Sequence, residues 1–180
     1  SVHEQSHLYH DSGDCVTQLS GINLVPLGRG RTGFTLEELE QAIAESTAGR
    51  VVNPIGAVMI ESPVRRQMGR VVPFQEMRAM TGLCRSYGIG THLEGARLYM
   101  MSAASGISPQ RYSALFDTVY VSLYKYFGAP YGGILAGDAV PQAKHATVCF
   151  SPRHDIGRHL VAKGQVWSRG EFRTEALEEH

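Results

Sequence analysis

Three short apolar runs punctuate the middle of the chain: Ala57-Val-Met-Ile60, Ile89 to Leu93 and Thr118 to Leu123. Each one stops at polar or glycine-rich sequence. Continuous apolar runs of this length suit strands covered on both faces. Segments with helical spacing separate them. Phe74, Met77, Thr81 and Cys84 line one face of a helix that Pro73 opens and Gly88 ends. Leu98, Met101 and Ala104 mark a second helix, and Ser108-Pro109 starts a short third that runs to about Leu115. Upstream, Thr35-Leu-Glu-Glu38 is a capping box, with Phe34 and Leu39 placed as its hydrophobic staple, and Leu36, Leu39 and Ile43 continue an amphipathic helix over 36–47. Ile22 to Leu27 reads as a short strand that Pro26 ends or puts near an edge. Strand–helix alternation with short links predicts an α/β fold with a mainly parallel sheet and right-handed crossovers.

Composition excludes several function classes. Of 180 residues, 43% are hydrophobic and 19% charged, which is enough for a globular core. Lys plus Arg equals Asp plus Glu at 17 each, so no charge excess points to nucleic acid or a membrane surface. No apolar run approaches the roughly 20 residues that span a bilayer, and no secretory signal is seen. Cys15, Cys84 and Cys149 are odd in number and widely spaced, which fits a reducing, cytoplasmic compartment rather than a disulfide framework or zinc site. His3, His7, His10, Asp11 and Asp14 near the start are metal-ligand types, but their spacing matches no closed motif, and no metal is expected. Gly28-Arg-Gly-Arg-Thr-Gly33 matches neither a P-loop nor a dinucleotide fingerprint and reads as a surface connection.

The chemistry concentrates at strand ends. Lys125 follows the Thr118–Leu123 run and precedes Gly128, Pro130, Gly132 and Gly133, after which Ile134 to Ala136 resumes as a strand. That link is too short for a crossover, so the second strand is expected to run antiparallel. A lysine there can mark a strand end with its head in solvent. It can also be a partly desolvated amine able to form a Schiff base. Glu94 and Arg97 follow the neighbouring strand, and strand ends of one polarity share one sheet edge. The pair can be a simple salt bridge. With Lys125 it can also serve pyridoxal phosphate, which needs an amine for its aldehyde and an acid beside its ring nitrogen.

These motifs resemble the low-specificity L-threonine aldolases, within the β-eliminating lyase group of fold type I pyridoxal-phosphate enzymes. The run His92-Leu-Glu94-Gly-Ala-Arg97 is similar to that family's His-x-Asp-Gly-Ala-Arg, and Tyr124-Lys125-Tyr-Phe-Gly128-Ala-Pro-Tyr-Gly132 to its Ser-Lys-Gly-Leu-Gly-Ala-Pro-Val-Gly segment. Glu61-Ser-Pro-Val-Arg65, followed by Met68-Gly69 and Pro73, resembles the Glu-Asn-Thr-His-Asn segment. Ser6-His7 with Leu19-Ser20-Gly21 resembles the segment whose histidine stacks on the cofactor. The resemblance covers roughly residues 4–139 and implies a three-layer α/β/α large domain, present in part. It assigns Lys125 to the Schiff base, Glu94 to the ring nitrogen, Arg97 to polar groups of cofactor or substrate, and His7 to ring stacking and base chemistry. The implied cofactor is pyridoxal 5'-phosphate. The implied reaction is retro-aldol cleavage of a β-hydroxy-α-amino acid to glycine and an aldehyde, carried out by a homo-oligomer.

The sequence departs from the family pattern mainly around the substrate. Glu94 stands where aspartate is usual, one methylene longer. Ser62-Pro-Val-Arg65 replaces Asn-Thr-His-Asn, Tyr124 replaces a serine, and the aromatic–glutamate pair expected around Asp11-Ser12 is missing. A different reaction on the same cofactor, such as β-elimination or transamination, therefore stays open, as does a truncated, non-catalytic relative. Residues 1–139 are expected to form the cofactor-binding core without the upstream phosphate-loop segment, and 140–180 a divergent tail. In that tail His145, His154 and His159 read as solvated, Ser151 to Leu160 as basic and irregular, and 171–180 as an acidic helix.

Overall fold

Hydrophobic patterning resolves into one mixed sheet in the computed structural model, which describes residues 1–137, 145–149 and 167–168. The strands are β1 (Val2–His3), β2 (Pro26–Leu27), β3 (Ala57–Glu61), β4 (Gly90–Glu94), β5 (Thr118–Ser122), β6 (Gly133–Gly137), β7 (His145–Cys149) and β8 (Trp167–Ser168). Among the described residues their order is β2-β1-β3-β4-β5-β6-β7-β8. Neighbours from β2 through β5 run parallel, while β6 returns antiparallel to β5, as the short link after Lys125 requires. The expected strand over Ile22 to Leu27 shrinks to Pro26–Leu27. Its partner β1 is only two residues long, and Pro26 has no N–H to give.

The helices are α1 (His7–Asp11), α2 (Cys15–Ser20), α3 (Leu36–Ala48), α4 (Phe74–Ser86), α5 (Leu98–Ser105) and α6 (Pro109–Ser113), with a 3-10 turn at Arg65–Gln67. The capping box forms as expected: Thr35 Oγ1 accepts the Glu38 N–H at 3.2 Å, and Glu38 Oε2 accepts the Thr35 N–H at 2.8 Å. The staple residues Phe34 and Leu39 are both buried. The readings of the basic segment after Ser151, of His154 and His159 and of the 171–180 helix fall outside the described residues, as does the side chain of His145.

Side chains alternate across a strand, so the parallel register sorts the sheet into two faces. Val58, Ile60, Leu93 and Val119 point to one face and join Leu39, Ile43, Met77, Met80, Leu98, Met101 and Tyr112 of α3 to α6 in one core cluster. Met59, Glu61, His92, Glu94, Thr118 and Tyr120 take the opposite face. The chemistry-bearing residues at the carboxyl ends of β3 and β4 thus stand on a rigid sheet backed by an apolar layer.

Leu39, fully buried, carries a large part of this packing. Leu39→Ala is expected to cost 2–5 kcal/mol in chemical denaturation, roughly as core truncations do. Thr35→Ala should cost about 1 kcal/mol by removing the cap. Leu19→Ala, at a side chain 85% exposed, should change stability by less than about 0.5 kcal/mol.

Candidate functional site

At the carboxyl edge of the parallel strands a cleft of about 330 Å3 is lined by His7, Glu61, Pro63, Arg65, Glu94, Ala96, Arg97, Tyr124 and Lys125. All four residues singled out from sequence, His7, Glu94, Arg97 and Lys125, reach this one cleft. Each arrives from a different segment: α1, the end of β4, the cap of α5 and the turn after β5. A second cleft of about 310 Å3 lies at the other end of β4, near Thr91 and Asp117, and holds none of these four.

Glu94 closes β4 and is partly buried. Its Oε1 accepts the Ala96 N–H at 3.2 Å. Burial pushes its carboxyl up to about 7, and the Glu61 charge beside it pushes the same way. The Ala96 hydrogen bond and the Lys125 and Arg97 charges pull back without cancelling this. Among the described residues no ion pair joins Glu94 to Arg97, so the simple salt-bridge reading of that pair does not hold. Arg97 instead sits at the N-cap of α5 with its side chain on the cleft. The Lys125 Nζ lies 5.2 Å from the centre of the Tyr124 ring.

His7 opens α1, where Ser6 Oγ accepts the Tyr9 N–H at 3.2 Å. The His7 Nδ1 lies 2.9 Å from Asp11 Oδ2, and Arg66 Nη1 donates to Asp11 Oδ1 at 2.9 Å. These contacts hold Asp11 below the usual carboxylate range, His7 foremost. The network ties α1 to the 3-10 turn. Arg65, on the same turn, lines the cleft, and its Nη1 is 4.0 Å from Asp11.

The segment Ser62-Pro-Val turns inward. Ser62 Oγ accepts the Val72 N–H at 3.1 Å and lies 3.1 Å from Met101 Sδ, and Ser62 and Val64 are fully buried. Where the resembled family carries polar side chains, this chain therefore presents Pro63 and Arg65 to the cleft. Glu61, which register pairs with Glu94, and Arg65 carry no assigned role in the sequence alone, yet both line the cleft. The position of Glu61 at the polar end of an apolar strand was the available signal. Among the described residues no cluster of three His, Cys, Asp or Glu could hold a metal ion.

Sequence and fold both resemble known proteins. The model of the beta-eliminating lyase family matches residues 1–168. A low-specificity L-threonine aldolase of Candida albicans is 31% identical over 137 residues, 74% of this chain and 36% of that protein. The alanine racemase TOXG of Cochliobolus carbonum is 31% identical over 136 residues, 74% of this chain and 34% of its own length. A crystal structure of a Listeria monocytogenes EGD-E protein, described as an L-allo-threonine aldolase, superposes with a TM-score of 0.65 at 34% identity, covering 76% of this chain and 35% of that one. The chain spans about a third of the length of these relatives.

Glu94 yields a test that needs no ligand. Its folded value of about 7 exceeds the ordinary 4.5, so between these values the folded chain binds more protons than the unfolded one. Stability is expected to fall as pH rises from about 4.5 to about 7 and to level off above, by up to about 3 kcal/mol. Glu94→Gln should flatten that slope in denaturation curves recorded across this range.

Proposed function

The chain belongs to the beta-eliminating lyase family, and on that premise we propose that the cleft is the pyridoxal 5'-phosphate site of a lyase. The reaction is cleavage of the Cα–Cβ bond of a β-hydroxy-α-amino acid, giving glycine and an aldehyde. The observation that carries this reading is the meeting of Lys125, Glu94 and Arg97 on one cleft. The donor set fits the group: a primary amine, a guanidinium, and a carboxyl whose ionisation stays suppressed until a cation arrives beside it.

When bound, the cofactor supplies an aldehyde that joins an amine and a ring that draws electrons from the α-carbon. The residues of this chain then have distinct tasks. Lys125 would hold the aldehyde end. Glu94 would serve the ring nitrogen, where its carboxyl could share a proton. Arg97 would bind polar groups of cofactor or substrate. His7, held by Asp11 at one ring nitrogen, would stack on the ring and would have Nε2 left to take the proton of the substrate β-hydroxyl. The inward turn of Ser62 to Val64 leaves Arg65 as the cation at the substrate end. The whole is read as a cytoplasmic homo-oligomer, on the resemblance and on the free thiols of Cys15 and Cys84.

A second reaction on the same cofactor is favoured by one observation: a relative about as similar as the aldolase carries the name alanine racemase. Such an enzyme moves a proton at the α-carbon without breaking the Cα–Cβ bond.

After incubation with pyridoxal phosphate and removal of unbound cofactor, the purified chain is expected to retain visible absorbance, and Lys125→Ala is expected to be colourless while keeping its circular dichroism. Equal spectra would sink the reading. Incubation with threonine, phenylserine and L-alanine separates the two reactions. Glycine plus an aldehyde supports the aldolase. D-alanine without aldehyde supports the second reading.

A further inference from the structure

We propose that Glu61 is a positioning residue: one buried carboxylate fixes the two segments that bring His7 and Arg65 to the sheet edge, and its charge acts on Glu94 beside it. The side chain is 3% exposed. Its Oε2 accepts the backbone N–H of His7, and its Oε1 accepts the backbone N–H of Arg65 at 3.0 Å. These donors open different elements, α1 and the 3-10 turn, and lie 54 and 4 residues away in sequence. The Glu61 N–H goes in turn to His3 Nε2 at 2.9 Å, so the same residue also locks to β1.

The chemistry requires a carboxylate. Both partners are N–H donors, and an ionised carboxyl offers two acceptor oxygens. Glutamine keeps one acceptor and turns an NH2 toward the other donor, so one backbone N–H is left facing a donor. A buried charge is expensive without such partners. Here two amide dipoles offset part of that cost, and charge-assisted hydrogen bonds of this kind are stronger than neutral ones.

Position then gives the charge a second effect. Glu61 and Glu94 are register partners on adjacent parallel strands, so their side chains leave the same face. The charged and titratable groups around the pair are His3 from β1, His7 from α1, Arg65 from the 3-10 turn, Arg97 from the cap of α5, and Tyr124 and Lys125 from the turn after β5. Both Glu61 oxygens accept backbone amides, whereas Glu94 has one N–H partner and holds its proton more tightly than an ordinary carboxyl. Its use toward a ring nitrogen rests on the function proposed above. The positioning itself does not.

The test uses the full chain without cofactor, labelled for amide exchange and for carboxyl titration by NMR. Glu61→Gln is expected to speed exchange of the His7 or the Arg65 amide by about tenfold or more, as loss of a hydrogen bond to a charged group does. It should also move the Glu94 midpoint downward from about 7. Glu61→Ala should free both amides. If the alanine variant does not fold, the near-isosteric glutamine variant decides. Unchanged exchange at both amides overturns the proposal. So does faster exchange with the Glu94 midpoint unmoved, the signature of a merely structural residue. A chain that passes these tests but stays colourless with pyridoxal phosphate refutes the lyase reading and leaves this inference standing.

Discussion

Because Ala57 to Glu61 pair residue for residue with Gly90 to Glu94, two carboxylates end on the same face of the sheet while Ile60 and Leu93 enter the core on the other. A slip of one residue would bury a carboxylate in the apolar cluster or expose a core side chain. The apolar face therefore enforces the geometry of the polar one. Much of the cleft inherits its placement from that register: α1 and the 3-10 turn through Glu61, and Arg97 through the helix that starts just past Glu94.

The cleft stores a deliberate imbalance. Two acidic side chains stand together where burial weakens the screening of their charges. One is satisfied by backbone N–H groups. The other, with a single N–H partner, responds by holding its proton near neutral pH. Lys125, Arg97 and Arg65 supply positive charge around them without closing an ion pair on Glu94. Such an arrangement is costly to a scaffold and marks a candidate functional site.

Much of this was legible in the sequence where burial repeats at a fixed period. The α3 cap, the α4 face and the β3, β4 and β5 runs stand within a residue or two of their expected places, because each buries one face in a common core. The helices α1 and α2 gave no such signal: neither buries a side chain, and α1 is held by Ser6 and Glu61 rather than by apolar contact. The convergence of Glu94, Arg97 and Lys125 was anticipated from strand polarity, and His7 was added by the family resemblance alone. The role of Glu61 was not anticipated, because its partners are backbone amides, and backbone amides leave no mark in a sequence. Likewise the sequence showed that Ser62-Pro-Val-Arg65 departs from the family's polar run but not that Ser62 turns inward as a core anchor, since nothing local distinguishes a serine that turns in from one that turns out.

The proposed chemistry depends on Lys125 being the amine that meets the cofactor. The chain has three lysines, Lys125, Lys144 and Lys163, so the attachment point can be read directly. Borohydride reduction of the chain incubated with pyridoxal phosphate, followed by peptide mass spectrometry, is expected to place the adduct on Lys125. Labelling confined to Lys144 or Lys163, or spread evenly over all three, would contradict it.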